Sequence, residues 1–374
     1  VAAASLAASG HAVVLLDRGG ETPPGPLLVD HQALEVLEPI GWSDLVEKQP
    51  SAVRADRLEI VGEHERHTLG DGWDLWAVSG RLIIEEMRRR ASRHGVTWIA
   101  GLSAVGPIWT DRRVSGVRAR DARGGERQFR ARLVIDASGP DAFLATALGL
   151  RLPRRGEPRP RWSAVLTGDD APEGHTLTLV RDAWITSARI HGEAVAAAVL
   201  RPHDDGPGDH DGSVAEAFRS AGGRIEQQRL AHRSVGATLL SQAGDGWIAV
   251  GEASGCGAPG SPGVTSAGLR LAASAAWEAD LALSGGAPVS PRDLGITVTL
   301  ARRDAQLGPL LDRALMRASR SGVLGWAFET RWRRRRLRDV LRGDWTPDAR
   351  FGRGWFLWRL DRISRRAARA SEVR

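Results

Sequence analysis

The chain has no tyrosine, no asparagine, one cysteine and one lysine in 374 residues. Each shortage closes a route. Without tyrosine there is no phenolic acid or base to recruit. Cys256 alone excludes an intramolecular disulfide and any cysteine-held metal cluster. A lone thiol suits a reducing, cytoplasmic setting. With Lys48 the only lysine, arginine supplies nearly all of the 52 basic residues. That bias fits a GC-rich coding sequence and speaks of codons, not of chemistry. A run of about eighteen apolar residues is also missing, so no spanning helix is expected.

What remains is an ordinary globular composition, 42% hydrophobic and 26% charged, long enough for two closely packed domains. The net charge of +7 is concentrated late, in Arg331–Asp339 and again toward Arg374. Such a run reads first as a solvated helix face, and anionic lipid or nucleic acid are the other readings. No specific nucleic-acid partner is expected. A peripheral membrane contact through this basic, tryptophan-rich tail is.

The most informative stretch is Gly244–Ala276. Trp247–Val250 is a short apolar run suited to a buried strand. Residues 251–263 hold five glycines and two prolines and cannot continue as helix or ladder. From Val264, Leu269, Leu271, Ala272, Ala275 and Ala276 suit a helix of small residues. A glycine-rich loop feeding a helix start presents free backbone N–H groups to an anionic group, or serves as a tight turn. At the other end of the sequence, residues 1–17 read as a small-residue helix, a turn at Gly10 and a strand Ala12–Leu16 ending at Asp17. This is the second half of a βαβ nucleotide-binding unit, in which Asp17 is placed to bond ribose hydroxyls or to close a turn with Arg18 and Gly19.

The loop resembles the second flavin-binding motif of FAD-dependent monooxygenases of the p-hydroxybenzoate hydroxylase type, nearest to the flavin-dependent halogenase and geranylgeranyl reductase branch. Gly251, Glu252, Ala253 and Ser254 stand for its Gly-Asp-Ala-Ala, Pro259 falls seven residues after Glu252, and Gly263-Val264 opens the helix. Glu in place of Asp and a shortened Pro-to-Gly spacing are departures. Asp136-Ala137-Ser138-Gly139, followed by Leu144, Ala145, Leu148 and Gly149, is similar to the D-A-S-G motif of the same branch. Trp76, Val78, Ile84, Ala91 and Gly95 follow its third segment. There the family's pyrophosphate-binding arginine is replaced by Gly80, with Arg81 next to it.

The resemblance implies an α/β fold. A discontinuous FAD-binding domain (1–50, 77–150, 235–285) would carry an antiparallel substrate-side sheet (51–76, 151–234) and a helical C-terminal region (286–374). It implies cofactor contacts from Asp17, Arg18, Arg81, Asp136, Gly139, Gly251, Glu252, Pro259, Gly263 and Val264. Strands are expected at Trp162–Thr167, Thr176–Val180, Trp184–Ile190 and Ala194–Leu200, with Trp184 and Thr186 lining the substrate side. Elsewhere, helices are expected over His31–Leu45, Leu82–Arg93, Val214–Ser220, Arg292–Gly322, Trp326–Leu341 and Trp355–Ala370. Val114–Arg120 and Gln128–Ile135 read as a hairpin, and Ala231–Thr238 as a return to the cofactor domain. The His203–Asp211 loop has irregular spacing and is not taken as a metal site.

The implied function is an FAD-dependent oxidoreductase. The leading form is a monooxygenase of an aromatic or polycyclic small molecule, with electrons from NAD(P)H or a separate flavin reductase. Reduction of a prenyl chain is the alternative within enzymes. A flavoprotein that binds a partner or lipid without turnover is the alternative outside them. No acid–base residue can be named. Halogenation is not expected, because only Trp184 answers the halogenase tryptophan motif and no lysine matches the catalytic one. The first strand and G-x-G-x-x-G loop of the family would precede Val1. The chain is therefore read as a trimmed or late-started sequence, with a gap in the sheet beside Ala12–Leu16 and weak FAD retention.

Overall fold

The computed structural model describes residues 1–19, 26–70, 73–152, 159–167, 174–180, 183–190, 193–200, 218, 224–234, 238–255, 263–342 and 350–372. The chain opens with helix α1 (Ala2–Ala8) and strand β1 (Val14–Asp17), then β2 (Pro26–Asp30) and α2 (His31–Glu35). Three short strands follow, β3 (Val53–Ala55), β4 (Leu58–Val61) and β5 (Arg66–Leu69), then β6 (Leu75–Ser79), α3 (Gly80–Arg93) and β7 (Thr97–Ala100). A meander of β8 (Leu102–Thr110), β9 (Arg113–Asp121) and β10 (Glu126–Arg130) leads to β11 (Val134–Asp136), α4 (Phe143–Ala147) and β12 (Arg151–Leu152). The second β region is β13 (Arg159–Thr167), β14 (His175–Val180), β15 (Ala183–Ile190), β16 (Glu193–Leu200) and β17 (Arg224–Ser234). The chain returns through β18 (Thr238–Leu239), β19 (Ala243–Gly244) and β20 (Trp247–Ala249). It ends in α5 (Val264–Ser284), α6 (Gly295–Arg320), α7 (Arg331–Leu341) and α8 (Arg350–Glu372).

The expected architecture is present, an α/β layer beside an antiparallel sheet with helices closing it. Two parallel pairs form the α/β layer. β1 runs beside β7, Val14 opposite Thr97 and Asp17 opposite Ala100. β11 runs beside β20, Val134 opposite Trp247 and Asp136 opposite Ala249. Among the described residues no ladder joins these pairs. The sheet is thus divided beside β1, where the sequence reading expects a gap. Helix α1 lies across the division. Its Ala2 and Leu6 join the core of Ile248, Val250 and Leu271, and its Ala4 joins that of Val29, Leu34 and Val96. Helices α1 and α5 are in contact and share a core of mostly small side chains, Ala2 and Leu6 with Leu271, Ala275 and Ala276.

The larger sheet has seven strands in the order β17-β13-β16-β15-β14-β4-β5, antiparallel except where β14 meets β4. Alternation fixes its faces. Leu177 is opposite Thr186 and Leu179 is opposite Trp184, so these four share one face. That face joins Leu58, Ile60, Leu69, Ala188 and Ile190 in a core closed by Leu28, Leu75 and Ala77 of β2 and β6, and by α6, α7 and α8.

Several expected elements differ. The helix expected over His31–Leu45 stops at Glu35; a 3-10 turn, Glu38–Ile40, contains Pro39 and ends at Gly41 with φ 68°. Proline removes a ladder donor and a left-handed glycine terminates the turn. Gln128–Ile135 is not one strand. β10 pairs antiparallel with β9, whereas β11 needs a parallel partner in β20, so the chain changes sheets between them. Ala231–Ser234 is the end of β17, an eleven-residue strand pairing with β13, rather than a return leg. Trp326–Leu341 divides into a 3-10 turn, Leu324–Ala327, and α7, whose Thr330 side chain accepts from the Arg333 N–H at its start. The Val214–Ser220 helix, apart from Phe218, and the His203–Asp211 loop lie outside the described residues.

Candidate functional site

Parallel strands deliver their following loops to one edge, which is where α/β folds bind ligands. The Val250 N–H donates to the Asp136 carbonyl at 2.9 Å, so the turns that follow β11 and β20 leave the sheet side by side. Those turns, Gly139–Asp141 and Gly251–Ser254, pack on each other. Arg18, just past β1, reaches Asp141 at 3.1 Å. The ends of β1, β11 and β20 therefore converge, as the sequence reading requires of Asp17, Asp136 and Glu252.

Asp136 shapes this edge from within. It is buried, and its Oδ1 accepts from the Ser138 N–H at 2.9 Å while its Oδ2 accepts from the Leu144 N–H at 2.7 Å. Ser138 Oγ accepts from the Phe143 N–H at 2.9 Å. These bonds hold Ala142 at φ 44°, a left-handed backbone that a non-glycine residue adopts only under constraint. Asp136 was expected as a cofactor contact. Its geometry makes it a brace for the loop that would make the contact.

Asp17 is similarly engaged. Its Oδ1 accepts from the Gly19 N–H at 2.9 Å, the turn reading, and its Oδ2 accepts from Arg88 of α3 at 2.7 Å. The Arg88 guanidinium lies 4.8 Å over the Trp98 ring of β7. A carboxylate has about four lone-pair sites, so acceptor capacity for a ribose hydroxyl remains.

The open features are the glycines and the helix start. Gly139 has φ 72° and Gly251 has φ 60°, and among the described residues a Cβ built on either would meet nothing within 4 Å. Gly268 of α5 would place its Cβ 3.8 Å from the Gly251 Cα, so α5 sits tightly behind that turn. Gly263 caps α5, and among the described residues no side chain bonds the first-turn amides from Val264. Glu252 is half-buried with no side-chain partner among the described residues, and Ser254 Oγ donates to the Gly251 carbonyl at 2.7 Å. Pro259 lies outside the described residues. Arg81 stands exposed in the first turn of α3. Among the described residues no hydrogen bond or ion pair joins it to these turns.

Two further groups were missed by sequence reasoning. Helix α6 touches the Gly251–Ser254 turn and, farther along, β14. Its inward stripe is Ala301, Asp304, Gly308, Leu311 and Leu315, a carboxyl set at a core position. Burial pushes Asp304 up to about 7, with Arg270 and Arg303 pulling the other way. Arg270 is itself fixed by buried Asp30 at 3.0 Å, whose Oδ1 also accepts from the Ala33 N–H. The periodicity of the helix carried this signal: aspartate at a three-then-four spacing between alanine and glycine.

The second group is His175, 3% exposed, on the inward face of β14 with Leu177 and Leu179. Among the described residues neither ring nitrogen has a partner, and burial pushes its pKa down to about 4, so the imidazole is neutral. Among the described residues Trp184, in the same core, also lacks an acceptor for its Nε1–H, as does Trp73. Trp184 and Thr186 are on the expected sheet, but both are buried within it, Trp184 wholly. The alternating run HTLTLV marked the histidine as inward-facing.

No protein-family model and no curated protein matches the sequence. Solved structures do match in shape. A flavoprotein/dehydrogenase from Cytophaga hutchinsonii superposes with a TM-score of 0.73 at 19% identity, covering 98% of this chain and 96% of its own. The flavin-dependent brominase Bmp2 gives 0.71 at 15%, covering 99% and 95%. PqsL, a probable FAD-dependent monooxygenase from Pseudomonas aeruginosa, gives 0.63 at 16%, covering 88% and 96%. The chain has the fold of the FAD-dependent monooxygenases and halogenases.

Proposed function

We propose that the chain is an FAD-dependent oxidoreductase, a monooxygenase of an aromatic or polycyclic small molecule. The observation that carries this is the convergence of the ends of β1, β11 and β20, with the Gly139–Asp141 and Gly251–Ser254 turns packed on each other and α5 seated behind the second, so that turn amides and the start of α5 would supply donors. A dinucleotide suits those donors. Its phosphates would take backbone N–H groups and the positive end of α5. Glu252, with no side-chain partner among the described residues, would accept from a ribityl hydroxyl. Asp17, joined by Arg18, would accept from the ribose. The cofactor, when bound and reduced, supplies electrons and reacts with dioxygen.

The chain's own work is orientation and proton control. Asp136 fixes the loop, Asp304 holds a proton near neutral pH on the helix that touches the Gly251–Ser254 turn, and His175, Trp184 and Thr186 stand on the inward face of the large sheet. Electrons would come from NAD(P)H or a separate reductase. Halogenation is not part of the reading, since no lysine other than Lys48 exists. The test is an absorbance spectrum of the protein reconstituted with FAD, then NAD(P)H oxidation under air with and without a flavin reductase. Flavin bands with oxygen-dependent turnover support the reading. Absence of flavin binding sinks it, and bound flavin without turnover leaves a binding protein. A chlorinated or brominated product would overturn the exclusion of halogenation.

A further inference from the structure

Helices α7 and α8 carry a surface that the cofactor reading does not use. Their inward faces bury Leu337, Val340, Leu341, Phe356, Leu357 and Leu360. Their outward faces expose three indoles: Trp332 at 43%, Trp355 at 50% and Trp358 at 42%. Trp332 meets Trp355 edge-on, with centroids 6.0 Å apart, so the two helices contribute to one patch. Arginines lie over the same rings, Arg336 at 5.6 Å from Trp332 and Arg362 at 5.2 Å from Trp358.

Among the described residues the acids of α7, α8 and the turn before α7 pair with some of the arginines: Asp361 with Arg317 and Arg365, Glu329 with Arg333, Asp339 with Arg336 and Arg338. Arg331, Arg334, Arg335, Arg362, Arg366 and Arg369 are exposed, and among the described residues no carboxylate pairs with them. A solvated face explains arginines. It does not explain tryptophans, whose exposure leaves apolar area in water.

We propose that the α7–α8 face rests on an anionic lipid surface. The indoles would enter the headgroup layer, where an apolar ring with one N–H donor is most at home, and the arginines would pair with lipid phosphates. Two helices side by side present a broad face, which fits a bilayer better than it fits a threaded nucleic-acid strand needing a groove. No helix among the described residues is long and apolar enough to cross a membrane, so the contact is peripheral. This proposal does not depend on the flavin reading.

The experiment is co-sedimentation of the purified chain with vesicles of phosphatidylcholine alone or mixed with phosphatidylglycerol, at low and high salt. Binding is expected only to the anionic vesicles, with a blue shift in tryptophan emission. It should weaken by roughly tenfold or more at high salt. Each lipid-facing arginine strengthens such binding about fivefold, so Arg335→Glu with Arg362→Glu should cost at least about 25-fold. Trp355→Ser with Trp358→Ser should reduce binding with an unchanged melting temperature, because both rings lie outside the core. Equal binding to both vesicle types, or none to either, overturns the proposal. So does tighter binding to a single-stranded oligonucleotide than to anionic vesicles at the same salt. Retained vesicle binding in both double variants would also overturn it.

Discussion

At the end of β11, both carboxylate oxygens of Asp136 accept from backbone amides of its own loop; on β14, His175 is as deeply buried and, among the described residues, neither of its nitrogens has a partner. The same contrast runs through their surroundings. Near the strand ends, Asp17, Ser138 and Ser254 are all engaged with nearby backbone. Within the large sheet's core, the indole N–H groups of Trp73 and Trp184 have no acceptor among the described residues. A satisfied polar group fixes the shape of a loop whether or not a ligand is present. An unsatisfied one costs about 1–3 kcal/mol until something supplies its bond. The first region is therefore preformed. The second holds polar groups whose cost a ligand's own polar groups could relieve.

The largest test of that contrast removes the brace. Asp136→Ala orphans the Ser138 and Leu144 amides, each at a cost of about 1–3 kcal/mol, and leaves left-handed Ala142 without its support. A loss of roughly 2–6 kcal/mol in urea unfolding is expected, together with lost FAD retention. Asp136→Asn keeps one acceptor oxygen and should fall between. A loss below about 1 kcal/mol would mean the loop is held by something else.

Asp304 sharpens the comparison, since it lies on the helix that touches both regions. Burial raises its pKa from 3.8 to about 7, so the folded state binds the proton more tightly than the unfolded chain. Its contribution to stability is complete below about pH 4 and is lost as pH rises through about 7. Asp304→Asn removes that loss. At about pH 8 the variant should exceed the parent by up to about 4 kcal/mol, and at about pH 4 the two should coincide. Parallel stability curves across this window would show that Asp304 is ionised in the fold and paired in some other way.

The legible part of this molecule was the part written in turns and alternation. Gly251, Gly263 and Val264 announced a loop and a helix start, and both are there. The expected strands at Thr176–Val180 and Trp184–Ile190 lie within β14 and β15, because alternating β-branched and polar residues leave little else to form. What sequence could not supply was the use of each side chain. Asp136 matches a motif yet turns inward, and nothing in four letters distinguishes a brace from a contact. Arg81 neighbours the expected position yet has no bond to the site among the described residues. The change of sheet between β10 and β11 depends on β20, more than a hundred residues away, and no local pattern encodes it.

The smallest expected effect at neutral pH is at His175, and it separates the two regions most directly. Burial lowers its pKa from 6.5 to about 4, so protonation is resisted in the folded state. The sign is opposite to that of Asp304: stability from this group is complete above about pH 6.5 and is lost as pH falls through about 4. His175→Leu keeps a similar volume and removes both the titration and the two unpaired nitrogens. At about pH 7 the variant should be unchanged or more stable by about 1 kcal/mol, since a polar group without a bond is replaced by an apolar one. Near pH 4 the gain should grow to about 3 kcal/mol, the cost of charging the buried imidazole. FAD binding should be unaffected, because His175 lies in the large sheet and not at the ends of β1, β11 and β20. If His175→Leu instead lost stability at neutral pH, the ring would already have a partner, and the contrast with Asp136 would not hold.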